Sequence, residues 1–177
     1  MTLIGRTQSP PRAGRWLRPT MGDVVTTSAA FGTAGRAFVA QVQVPAPVLV
    51  DAVSYVVGAT ASGNVIVSLL RAVSLTADTP VGGTVVAESA STAQGGVNDY
   101  QAVAFAGPAL LTPGYAYYVA LQGSSATGTY MRLNNQRQGP ALAGYFDVAA
   151  GFGPVTIPAS WTDTGSGIPG LLLRVQG

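Results

Sequence analysis

The sequence predicts an all-β fold, an antiparallel jelly-roll-like β-sandwich with an extended N-terminal arm. Three observations carry this expectation. From Arg36 onward, apolar residues recur with a period of two. Clusters of Gly, Pro, Asn and Ser interrupt these runs at a steady rhythm. No helix-length stretch holds an apolar 3.6 period without Gly or Pro.

Residues 1–14 combine Arg6 and Arg12 with Pro10, Pro11, Gly5 and Gly14, so neither helix nor strand is favoured there. They read as a docking arm. Residues 15–177 read as a single sandwich domain, with Arg15–Pro19 as a first edge strand. Ala37–Val44 alternates and stops at Pro45-Ala46-Pro47. Val48–Val57 is a second run, and Gly63–Arg71, with Val65, Ile66 and Val67, is a third. Thr84–Ser89, Asp99–Ala106, Tyr115–Gln122, Gly128–Leu133 and Gly170–Gln176 complete the series. Gly139–Pro169 reads as loops at one end of the sandwich. Short strands at regular spacing, without repeats, suit a jelly roll.

The composition excludes much chemistry. At 177 residues the chain buries about two-thirds of its unfolded surface without staples. It has no cysteine, no histidine and, since its nine basic residues are all arginine, no lysine. Thiol catalysis, a Ser-His-Asp triad, a Walker A loop and a Schiff-base lysine are therefore impossible. Charged residues make up 9% of the chain, against roughly 25% in an ordinary soluble domain. Mean hydropathy is +0.34, yet no run reaches the ~20 apolar residues of a spanning helix. No secretory signal is expected, because Arg and Pro stand where its apolar core belongs. So poorly charged a surface predicts packing against copies of itself or other proteins, with a homotrimer favoured.

Charge is concentrated at the start. Arg6, Arg12, Arg15 and Arg18 precede the first acid, Asp23, while the rest of the chain is net negative. Arginines so spread give only a weak, salt-sensitive phosphate contact, and the folded part has no basic stripe. Docking on an acidic protein patch is the expected use, and no nucleic-acid partner is expected.

Leu110-Leu111-Thr112-Pro113-Gly114-Tyr115-Ala116-Tyr117-Tyr118-Val119-Ala120-Leu121 resembles a strand-turn-strand signature of tailed-bacteriophage virion proteins. There a leucine and Pro-Gly lead into a Tyr-rich strand ending valine-alanine-leucine. Val48–Val57 and Gly63–Arg71 resemble the paired strands before a proline-bearing loop, here Asp78–Gly83. Gly170–Val175 resembles the closing strand. The resemblance covers residues 15–177. It implies an accessory jelly-roll domain of the tail-fibre, baseplate or capsid-decoration type. Such domains often bind carbohydrate, and the family carries no invariant catalytic residue or cofactor.

Catalytic motifs have simpler explanations. Asp163-Thr164-Gly165 matches the Asp-Thr-Gly of aspartic proteases, but the chain has one copy and too short a tail for the flap. An Asx turn accounts for it. A glycosidase needs two carboxylates about 5–9 Å apart, and no acid pair here has telling spacing. Asn134-Asn135 cannot by itself supply the six to eight oxygen ligands of calcium. Tyr115 and Tyr117 share a face with Val119 and Leu121 and are expected in the core. Candidate ligand-binding residues are Tyr130, Arg132, Asn134, Asn135, Arg137 and Trp161, because aromatic faces beside amides and guanidinium groups suit sugar rings.

The resulting expectation is a non-enzymatic structural component of a phage-like virion, tail- or fibre-associated or capsid-decorating. It would sit in the virion, assembled in the host cytoplasm, with no cofactor, metal or membrane insertion. Its partners would be itself and other virion proteins, and a host-surface glycan if it binds one. The competing readings are a carbohydrate-binding adhesin module and a polysaccharide depolymerase.

Overall fold

The structure is a computed structural model that describes residues 15–17, 24–74, 81–133, 143–155, 162–163 and 168–176. The docking arm read over residues 1–14 lies outside them. Among the described residues all regular structure is strand. The strands are β1 (Arg15–Leu17), β2 (Val24–Ala30), β3 (Arg36–Val42), β4 (Val48–Val56), β5 (Asn64–Ser74) and β6 (Val81–Glu88). They continue with β7 (Thr92–Ala93), β8 (Tyr100–Leu111), β9 (Tyr117–Gly123) and β10 (Thr129–Leu133). The last three are β11 (Ala143–Asp147), β12 (Thr162–Asp163) and β13 (Leu171–Val175).

A smaller sheet has the order β1-β13-β4-β8, and a larger one has β12-β11-β3-β9-β5-β6, with β7 beside β5. Strands β2 and β10 form a separate ribbon, tied to the end of β4 by a Val57–Tyr130 bridge. Every pairing is antiparallel. The fold is a β-sandwich. Val53, Tyr55, Phe105, Leu171 and Leu173 of the smaller sheet share one core with Phe38, Val67, Leu69, Val119 and Leu121 of the larger.

The larger sheet is buried on its other face too. Ala37, Val39, Leu70, Tyr118, Ala120 and Phe146 form a second apolar cluster with Val148 and Val155. That explains why β9 is buried at every position and reads as a continuous apolar run. Residues 148–155 act as a strap over this cluster. Buried Gln122 donates from Nε2 to the carbonyls of Gly35 (3.1 Å) and Gly151 (3.3 Å). Its Oε1 accepts from the Gly153 amide at 3.3 Å. At the strap's far end, Glu88 Oε2 accepts from Ser68 Oγ (2.8 Å) and the Val155 amide (3.0 Å). Gly35 has φ +84°, and a Cβ there would stand 2.6 Å from the Gly151 carbonyl carbon. Only glycine admits both that backbone and that approach.

Val24–Ala30, to which the sequence assigns no element, is a strand because it gains a partner in β10. One expectation is corrected. Gly139–Pro169 is not loop throughout: Ala143–Asp147 pairs with β3 and extends the larger sheet. Strand β1 lies at the edge of the smaller sheet, paired with β13.

Candidate functional site

The predicted binding face begins on β10, and the structure divides it. Tyr130 is 2% exposed, with its ring edge-on to Phe31 at 5.3 Å and to Phe38 at 4.9 Å. It is a core residue and presents no face to a ligand. Alternation along β10 puts Tyr130 on one side, and that side looks inward because the ribbon closes over the main core. Burial pushes its hydroxyl above the usual tyrosine range, while the nearby Arg132 and Arg36 pull the other way. Arg132 is exposed, past an irregularity in the pairing between Met131 and Leu133. Asn134, Asn135, Arg137 and Trp161 lie outside the described residues, as do Arg6 and Arg12 of the arm.

From Tyr130 the aromatic contacts run outward through Phe38 to Tyr145 of β11, at 6.1 Å. The Arg36 guanidinium covers the Tyr145 ring at 4.5 Å from its centroid. Asp147 holds that guanidinium with two bonds, Nε to Oδ1 at 2.8 Å and Nη2 to Oδ2 at 3.1 Å. The hydrogen bond to Arg36 holds the Asp147 carboxyl below its usual range, and the same bond raises the guanidinium pKa. Here the cation–π contact latches β3 to β11. Arg36 thus occupies one face of the Tyr145 ring.

The carboxylates among the described side chains are used by the fold. Asp147 pairs with Arg36, and Asp51 accepts from Arg174 Nε at 2.6 Å. Glu88 anchors the strap, and Asp99 accepts from the Tyr100 amide at 2.7 Å. No three His, Cys, Asp or Glu side chains converge as metal ligands among the described residues.

What the sandwich does present is exposed apolar surface. Leu49 and Leu110 are in register on β4 and β8 and both are exposed. Val85 and Val86 are exposed on β6, the edge of the larger sheet. Tyr115, expected in the core, is 54% exposed, with Arg71 5.0 Å over its ring and Tyr117 at 6.3 Å. The strand begins only at Tyr117; Tyr115 belongs to the turn after Pro113 and Gly114, whose φ is +91°. The Pro113-Gly114 pair was the signal that alternation does not carry through to Tyr115. Compared with known proteins, the chain matches no family model and no curated sequence.

Proposed function

We propose that this protein is a non-enzymatic structural component of a phage-like particle. In this reading it is tail- or fibre-associated or capsid-decorating, and it assembles through its N-terminal arm and apolar surfaces. The observation that carries the reading is the conjunction of a 9% charged chain with exposed Leu49, Leu110, Tyr115, Val85 and Val86. Exposed apolar residues on so weakly charged a surface mark protein–protein contact. Among the described side chains, Asp51, Glu88 and Asp147 each make a contact that holds the fold, which supports a structural role for them. Of the residues an adhesin role would use, Tyr130 is core and Arg132 is exposed, while Asn134, Asn135, Arg137 and Trp161 lie outside the described residues.

The strand order supports a jelly-roll reading of the sandwich. Along the chain, β1, β4, β8 and β13 belong to one sheet and β3, β5, β6 and β9 to the other. The orders β1-β13-β4-β8 and β3-β9-β5-β6, with β11 and β12 as an added edge, support a reading as two interlocked Greek keys.

Deleting residues 1–14 tests the role of the arm. The sequence of residues 1–14 carries none of the period-two alternation, so the truncated protein should melt as the full chain does yet fail to join particles. Normal incorporation of the truncated protein would overturn docking through the arm.

A further inference from the structure

Building on that structural reading, we propose that β6 is a self-association edge, to which a second copy of this chain adds its own β6 in antiparallel register. Strand β6 ends the larger sheet and pairs with β5 on one side. Its C-terminal end is tied to the smaller sheet through the Ser89–Phe105 bridge. This end runs close to β8, and among the described residues no strand is hydrogen-bonded to the outer side of the stretch before it, where Thr84, Val85 and Val86 are exposed.

A strand edge presents alternating N–H and C=O groups and takes one class of partner, another extended backbone. Soluble proteins guard such edges with charges or proline. Val81-Gly82-Gly83-Thr84-Val85-Val86-Ala87 has neither. A shift in pairing between Leu69 and Leu70 leaves Val86 as an extra residue on β6. Such a bulge often shields an edge; here it leaves two consecutive valines 40% and 36% exposed. The other edges differ. Strand β12 has two residues and β1 has three, while β8 carries Pro108.

The occupant follows from charge and symmetry. Gly83–Ala87 offers no counter-charge to an acidic or basic peptide, and it meets its own image without repulsion. The one acid of the strand, Glu88, is engaged by Ser68 and Val155. Antiparallel pairing of two identical edges is isologous, so each valine pair packs on its counterpart and the assembly closes at two copies. Both edges are then consumed.

Light scattering of the full chain across a concentration series should find a dimer. Val85→Lys and Val86→Lys should each weaken it by roughly tenfold or more through like-charge juxtaposition, while leaving the circular dichroism unchanged. Val97→Lys, in the exposed turn before β8, should leave the dimer intact. Hydrogen exchange on the wild type gives an answer without variants: the amides of residues 83–86 should exchange more slowly as concentration rises. A wild-type monomer, a trimer, a dimer indifferent to both lysines, or concentration-independent exchange at 83–86 would each overturn the proposal. Particle incorporation is read separately. A β6-paired dimer that never enters particles sinks the virion reading alone, and a monomer that enters them sinks the edge proposal alone.

Discussion

Replacing Tyr130 by Ala separates a core residue from a ligand platform most sharply. The ring is 2% exposed and meets Phe31 and Phe38 edge-on at 5.3 and 4.9 Å. Each such aromatic pair contributes about 0.5–1.5 kcal/mol beyond its buried area. Truncating a fully buried aromatic costs about 3–5 kcal/mol in total, including the cavity left behind. For a domain of this size, 1 kcal/mol moves Tm by roughly 2–4 °C, so the expected loss is roughly 6–20 °C. Tyr115→Ala is the matched control: its ring is 54% exposed, and the change should stay within about 0.5 kcal/mol. Calorimetry of both variants, with a glycan array on the wild type, checks the assignment. A Tyr130→Ala protein that melts like wild type but loses binding to a glycan would refute the core placement and restore the sugar platform.

Gln122→Leu should cost about 1–3 kcal/mol, since it removes a partner from the half-buried Gly151 and Gly153 backbone groups, while the buried Gly35 carbonyl keeps the Val148 amide; hydrogen exchange should then quicken over residues 148–155 first, and uniform exchange would show that the amide does not hold the strap. Alkali should unfold the protein. Burial pushes Tyr118 up to about 12 and Tyr55 and Tyr130 higher still. Unfolded phenols ionise near pH 10, so above that pH the unfolded chain binds fewer protons than the folded one. Stability is thus intact below about pH 10 and falls above it, by up to about 1.4 kcal/mol per pH unit for each tyrosine. Phenolate absorbance from these residues should rise together with loss of circular dichroism; full ionisation near pH 10 in a folded protein would contradict their burial.

The sandwich was legible because period-two alternation and turn clusters survive in single strands. Ala37–Val44 and Val48–Val57 contain β3 and β4 almost to the residue. Strand β2 was not legible: Val24-Val25-Thr26-Thr27 is β-prone, but it follows a stretch of Arg, Pro and Gly and gains its partner only from β10, far along the chain. Strand β11 was hidden for a similar reason. Ala143-Gly144-Tyr145-Phe146-Asp147 lies in Gly-rich sequence and becomes a strand by adding to β3. The candidate site was less legible still. Strict alternation puts Tyr130 and Arg132 on one side, but the pairing with β2 shifts between Met131 and Leu133, so consecutive Tyr130 and Met131 are both buried while Arg132 is exposed. On β9 the rule fails differently, because a sheet buried on both faces admits Tyr117 and Tyr118 alike. Gln122 gave no sequence signal; its role depends on a strap that only the tertiary fold brings over it.

Structural membership of a particle is tested most directly by purifying particles from the native source and measuring this chain in them. Quantitative mass spectrometry across a density gradient gives its copy number, and antibody labelling in electron micrographs gives its position. A virion component should travel with the particle peak at fixed stoichiometry, with gold at one site, on tail, fibre or capsid surface. A chain found only in the soluble fraction, with no labelled particles, would contradict membership.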